Sequence, residues 1–191
     1  MQETLPFYRT TTGRLGVAIL CFGAALLYLI SQAQQVVQGQ TSPVTVSVRV
    51  NRAVDDVEER LSDGVMYTDS TDLELGDDPE TLGDQAVGMR FRNLTIPKGA
   101  TVLNAYIEFE TDEVSQPTTA VTFYGHSSDN APAFTTALRN LTSRPKTVAA
   151  VAWNNIPAWN TIGQKQQTPN LAPIVQEIVN RSGWVAGNSL V

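Results

Sequence analysis

The sequence has little of what several large protein classes require. It contains one cysteine, Cys21, and one histidine, His126, among 191 residues. Disulfide scaffolds and structural zinc sites need several thiols or a Cys/His set, so both are disfavoured. Runs of Lys and Arg are also missing, and the net charge is −6. Because clustered cations supply most nucleic-acid affinity, the sequence predicts no nucleic-acid partner.

A single long apolar run, 15–30, follows the basic residues Arg9 and Arg14. Its roughly 24 Å of helix is short for a bilayer core of about 30 Å, which favours an export signal. Small residues at Ser31 and Ala33 place a cleavage site after Ala33, and an uncleaved signal anchor is the open alternative. In either case the rest of the chain is predicted to be exported, secreted or at the cell surface, and to meet the membrane only through this segment.

After the signal at 1–33, the sequence predicts a linker at 34–42 and one module at 43–191. Valines at positions 44, 46, 48 and 50 alternate with polar residues, a pattern typical of a half-buried strand. Further short strands separated by Gly, Pro and Asp turns are predicted at 64–68, 72–75, 87–92, 101–110 and 118–125. The segment 171–181 instead has helical spacing, with Asn170 as its cap and Pro173 in its first turn. The pattern predicts an all-β, jelly-roll-like β-sandwich with one short amphipathic helix.

Several motifs resemble the DNRLRE-type extracellular β-sandwich modules, a group that includes disaggregatase-related domains and some carbohydrate-binding modules. The matching pieces lie at 72–76, 87–91, 96–101, 105–109 and 151–157 (VAWNNIP), and in the helix followed by Gly187-Asn188. The resemblance implies a jelly-roll-like module of a larger secreted or surface protein, which sometimes recognises polysaccharide. Such modules continue for two or three strands past the helix, so the chain is predicted to be a fragment that works with other domains of a longer protein.

Acidic residues are concentrated in one stretch, where twelve carboxylates between Asp55 and Asp84 accompany one base, Arg60. Calcium binds several converging carboxylate and carbonyl oxygens. On a strand, residues two apart share a face, so the first candidate cluster pairs neighbouring acids on one side. The candidate ligands are Asp72, Glu74 and Asp77 in one cluster and Asp112, Glu113 and Asp129 in a second. A solvated acidic surface without any ion is the alternative interpretation for both clusters.

Aromatic side chains that can stack on sugar rings are the other candidate site. Three residues are the candidate ligand-binding residues: Trp159 in an Asn-rich loop, and Tyr124 and His126 close together at the end of one strand. Trp153 and Trp184 are expected to be buried instead. Because no nucleophile motif accompanies the lone histidine, no enzymatic activity is predicted. The sequence thus predicts a non-catalytic binding or adhesion module for polysaccharide, and the alternative is a structural spacer, with or without calcium.

Overall fold

A computed structural model of the chain describes residues 8–9, 15–16, 42–70, 72–78, 83–114 and 119–191. The chain divides into two units, Met1–Val44 and Thr45–Val191. In the first unit, β1 (Tyr8–Arg9) pairs antiparallel with β2 (Leu15–Gly16). Apart from those four residues, the predicted signal at 1–33 lies outside the described residues, as does the predicted linker up to residue 41. Within the described ranges, no helix combines the length and the apolar character that a membrane crossing needs.

The second unit is rich in short antiparallel strands, and it contains one short helix, as the sequence predicts. The described elements of this unit are β3 (Asp56–Arg60), β4 (Met66–Tyr67), β5 (Asp77–Asp78), β6 (Gly83–Met89), β7 (Glu108–Glu110), β8 (Thr119–His126), β9 (Lys146–Ile156), β10 (Lys165–Gln167) and α1 (Ala172–Val179). One four-stranded sheet has the order β4-β3-β6-β5, while β7 pairs with β10 and β8 with β9.

The longest ladder joins β8 to β9, and its two faces differ as period-two alternation requires. On the inner face Phe123 pairs with Val151 and both are half-buried, while the outer face is exposed. The helix α1 packs on the inner face at Gly125, where a Cβ atom would lie 2.7 Å from Cδ1 of Ile178. The absence of a side chain at this glycine therefore allows the helix to approach the strand closely.

The larger of two apolar cores surrounds this helix. Trp184 is fully buried there and donates its indole N–H to the carbonyl of Ile96 at 3.0 Å. The N-cap of the helix is Leu171, one residue after the predicted Asn170, although the Oδ1 atom of Asn170 still accepts the N–H of Ala172 at 2.9 Å. The buried members of this core are Leu94, Leu171, Ile174, Ile178, Val179 and Trp184, and a second core contains Val57, Met66 and Phe134.

The predicted strand at 101–110 forms a ladder only in β7. Upstream of β7, backbone N–H groups are satisfied by side chains of the 168–176 segment, which take the place of a neighbouring strand. Val102 donates to Oε1 of Gln176, Ala105 to Oδ1 of Asn170 and Ile107 to Oγ1 of Thr168. Burial alternates from Ala105 to Glu110 as the period-two pattern predicts, but Leu103, expected on the inner face, is 67% exposed, and the pairing is not predicted.

The strand β3 lies between β4 and β6 in the four-stranded sheet, although its sequence, DVEER, is almost entirely charged. Glu59 on this strand is fully buried and accepts the backbone N–H groups of Leu141 and Thr142 at 3.0 and 2.8 Å. The strand predicted at 72–75 does not form, and the strand that follows it, β5, is the short Asp77–Asp78. Two acids of the acidic stretch, Glu58 and Glu59, therefore lie inside this unit.

Candidate functional site

Three carboxylates converge beside the four-stranded sheet. One oxygen each from Asp72, Glu74 and Glu113 lies within 4.8 Å of the other two. Asp72 and Glu74 are half-buried and Glu113 is exposed. We call these three residues the acidic site. The first two precede β5 and the third follows β7, so the site joins segments that belong to different sheets.

Hydrogen bonds hold the segment that contains Asp72 and Glu74 against β3 and β6. The N–H of Glu74 donates to Oε1 of Glu58 at 3.0 Å, and the carbonyl of Glu74 accepts Nε2 of Gln85 at 2.9 Å. The carbonyl of Gly76 accepts the N–H of Gln85, also at 2.9 Å. Since both sheet residues contact it, this segment has a defined position over one face of the sheet.

A fourth carboxylate, that of Glu58, lies beneath the site and is 1% exposed. The pKa of Glu58 is raised from 4.5 to about 8, mainly by burial. A side-chain hydrogen bond with Glu74 and the negative charges of Glu74 and Asp72 also contribute, while the Glu74 N–H acts in the opposite direction. The Glu58 carboxyl therefore holds a proton near neutral pH when no cation is present.

The acidic site draws one part from each of the two predicted clusters. Asp72 and Glu74 lie together as expected, but the residue that joins them is Glu113. Asp77 and Asp112 are exposed and do not belong to the site. The expected grouping of Asp129 with Glu113 is not found, because the Oδ1 atom of Asp129 pairs with Nε of Arg181 at 2.7 Å. Sequence analysis missed Glu58 and Gln85, whose burial depends on the pairing of β3 with β6.

The donor set of the acidic site consists of oxygen atoms from carboxylates. Hard cations such as Ca²⁺ prefer these ligands, whereas zinc and copper sites usually include His or Cys. Two ligands at about 2.4 Å from one calcium ion are at most about 4.8 Å apart. The geometry of the acidic site therefore fits one calcium ion between its carboxylates.

Trp159 is half-buried, and it packs against other aromatic rings. Its ring centroid lies 6.0 Å from that of Phe109 and 6.3 Å from that of Trp153, and Trp153 in turn stacks on Phe123 at 6.3 Å. The expected burial of Trp184 is confirmed, and Trp153 is half-buried. The position of Trp159 makes it part of a packed aromatic cluster, so its ring is not an open stacking surface.

Tyr124 is 47% exposed on the outer face of the β8–β9 ladder. Its cross-strand neighbour is Ala150, and the next outer pair is Thr122 with Ala152. The ammonium of Lys146 lies 4.8 Å from the centroid of the tyrosine ring. The residues across the ladder are small, so the ring of Tyr124 stands open beside one cation. We call the surface formed by Thr122, Tyr124, Lys146, Ala150 and Ala152 the tyrosine strip.

His126 follows Tyr124 at the end of β8 and is half-buried. Burial lowers the pKa of its imidazole, and the positive charges of Arg144 and Arg181 lower it further. Its Nδ1 atom has no hydrogen-bond partner among the described residues. At neutral pH this histidine is an uncharged side chain at the end of the tyrosine strip.

The chain matches no protein-family model, and comparison with curated proteins and with solved structures finds no significant match. The resemblance to DNRLRE-type modules therefore stays a prediction from the sequence. Function must be inferred from the acidic site and the tyrosine strip themselves.

Proposed function

We propose that this chain is a non-catalytic, exported binding module with a jelly-roll-like fold that recognises a polysaccharide. The observation that carries the proposal is the tyrosine strip. Pyranose rings stack their apolar faces on exposed aromatic rings, and nearby polar groups bind their hydroxyls. Tyr124 supplies the ring, while Thr122 and Lys146 supply hydrogen-bond donors beside it.

The tyrosine strip also has the right shape for an extended sugar chain. Alanines at positions 150 and 152 face Tyr124 and Thr122 across the ladder, so no bulky side chain interrupts the outer face there. The two strands run for eight and eleven residues. At about 3.4 Å per residue, the eight residues of β8 span roughly 27 Å, enough for several sugar units.

Replacing Tyr124 by alanine is expected to abolish retention of the full-length chain on a polysaccharide gel that retains the wild type. The loss follows from removal of the stacking surface, and the exposed ring leaves no cavity behind. Tyr106→Ala is the matched control, because Tyr106 is 50% exposed on a different segment and its loss should leave retention unchanged. Affinity electrophoresis across a glycan panel measures both variants.

Two outcomes would overturn this proposal: no retention of the wild type on any glycan, or equal retention of the wild type and the Tyr124→Ala variant. Trp159→Ala is a poor probe, because that ring packs against Phe109 and Trp153 and its removal would disturb the cluster. Circular dichroism of each variant shows whether the fold is kept.

A structural spacer without a ligand is the second candidate. One observation favours it: Val148, 94% exposed on β9, makes part of the outer face apolar, as a surface that packs against a neighbouring domain would be. In that case the glycan panel gives no retention of the wild type.

Export through residues 1–33 is part of the proposal and rests on the basic, apolar and small-residue order of that segment. Mass spectrometry of the chain recovered from the medium or the cell surface tests it. Cleavage after Ala33 gives a product that begins at Gln34, whereas a signal anchor leaves the chain at its full 20.7 kDa.

A further inference from the structure

We infer that the acidic site binds a calcium ion, which links the four-stranded sheet to the segment that follows β7. Three carboxylates within 4.8 Å of one another supply the charge. A cluster of acids alone does not make a site, since such clusters are common on protein surfaces. A second feature, the environment of Gln85, indicates a cation.

Gln85 is 6% exposed, and its Oε1 atom has no hydrogen-bond partner among the described residues. Burying an oxygen without a partner is energetically unfavourable, so such atoms usually mark a missing donor or ion. In the β3–β6 ladder Gln85 pairs with Arg60 and Val87 pairs with Glu58, so Gln85 and Glu58 point to the same face of the sheet.

That face is the one over which the acidic site lies. Glu58 accepts the N–H of Glu74, and Nε2 of Gln85 donates to the carbonyl of Glu74. The amide of Gln85 is therefore directed at a residue of the acidic site, and its free oxygen belongs to the same amide group. A hard cation is a chemically suitable partner for this oxygen, either directly or through a bound water.

Among the described residues, Thr111 is a second buried residue with an unpartnered oxygen, close in the sequence to Glu113. It is 2% exposed, and its Oγ1 atom lacks a hydrogen-bond partner within the described ranges. Thr111 lies two residues before Glu113, whose carboxylate belongs to the acidic site. A buried side-chain oxygen without a partner in the described part of the chain is therefore found on β6, at Gln85, and in the segment that carries Glu113, at Thr111.

Calcium fits this donor set better than magnesium does. Calcium accepts six to eight oxygen ligands in an adaptable geometry, while magnesium demands a near-ideal octahedron and retains several waters. Neither Glu74 nor Glu113 forms an ion pair within the described part of the chain. Their negative charges are therefore available to a divalent cation.

Such an ion would replace the cross-links that this module lacks. Positions 34–191 contain no cysteine, so no disulfide can join its segments. Because the ion would bind the folded state and contact Glu113 as well as the 72–76 segment, it is expected to raise the unfolding temperature.

Calorimetric titration of the metal-stripped, full-length chain with CaCl₂ tests the inference, and Glu113→Gln is the diagnostic variant. It removes one ligand charge at an exposed position, so folding should be preserved, and we expect at least about a tenfold loss of calcium affinity. Asp112→Asn is the matched control, because it makes the same charge change one residue away, outside the site, and should stay within about twofold of the wild type.

The inference is overturned if calcium gives no binding heat and no rise in the unfolding midpoint over the same chain in EDTA. It is also overturned if Glu113→Gln and Asp112→Asn weaken binding equally, since that result indicates a diffuse attraction to acidic surface. Glycan retention is a separate measurement, so failure of the polysaccharide proposal is distinguishable from failure of this one.

Discussion

Replacing Asp55 by alanine is expected to lower the free energy of unfolding by about 3–5 kcal/mol. Asp55 is 1% exposed, and its Oδ1 atom lies 2.7 Å from Nη1 of Arg90, with Nε of Arg92 3.8 Å from its other oxygen. Removing the carboxylate leaves the Arg90 guanidinium, itself 16% exposed, without its counter-charge. Urea denaturation followed by tryptophan fluorescence measures the loss.

The effect should be large because Arg90 joins several segments. Its other donors bind the carbonyl of Ala131 at 2.9 Å and Oγ of Ser189 at 3.2 Å, and the backbone of the next residue, Phe91, pairs with Leu190. Asp55 therefore fixes a guanidinium that connects the start of β3 to the segment near the last described residues. Its loss disturbs all of these contacts together.

An exposed ion pair provides the control for this prediction. Asp63 pairs with Arg60 at 2.6 Å, but the two side chains are 45% and 28% exposed, so Asp63→Ala should lower the free energy of unfolding far less than Asp55→Ala does. Equal losses for the two alanine variants would contradict the prediction. The double variant Asp55→Ala/Arg90→Met should recover part of the stability, since it removes the unpaired charge.

The strand β3 shows where local sequence patterns fail to predict the fold. Alternation identified β8, and helical spacing identified α1 to within two residues at its end. In β3, by contrast, the acids at 58 and 59 are buried because partners distant in the sequence satisfy them. Glu59, for example, accepts N–H groups more than eighty residues away, which no local pattern reveals.

The acidic site was predictable only in its local half, for a related reason. Asp72 and Glu74 are two residues apart, so their proximity follows from local geometry. Their grouping with Glu113 depends on how the segment after β7 folds back on the sheet. Asp129 was an equally good candidate by sequence, and only the position of Arg181 shows that it is neutralised elsewhere.

A second large change in stability is expected for the Glu58→Gln variant. It is detected by measuring the free energy of unfolding in EDTA as a function of pH. The pKa of Glu58 is raised in the folded state to about 8 from an ordinary value of 4.5. The folded state therefore holds a proton that the unfolded state releases. The contribution of Glu58 to stability is complete below pH 4.5 and is lost as the pH rises through about 8.

Glutamine keeps the acceptor for the Glu74 N–H and replaces the carboxyl proton with amide donors that can bind the Glu74 carboxylate. The variant should therefore not lose stability over this pH range, so its stability relative to the wild type should increase steadily from pH 5.5 to pH 8.5. Urea denaturation at pH 5.5, 7 and 8.5 measures both proteins.

Other groups also titrate in this range. The informative quantity is therefore the difference in free energy of unfolding between the wild type and Glu58→Gln at each pH. The pKa of Asp56 is raised by burial and that of His126 is lowered by burial, and both contributions cancel in the comparison. If the difference between wild type and Glu58→Gln does not change with pH, Glu58 does not hold a proton in the folded state. If calcium reduces that difference at pH 8.5, a cation near Asp72 and Glu74 stabilises the ionised Glu58 carboxylate of the wild type.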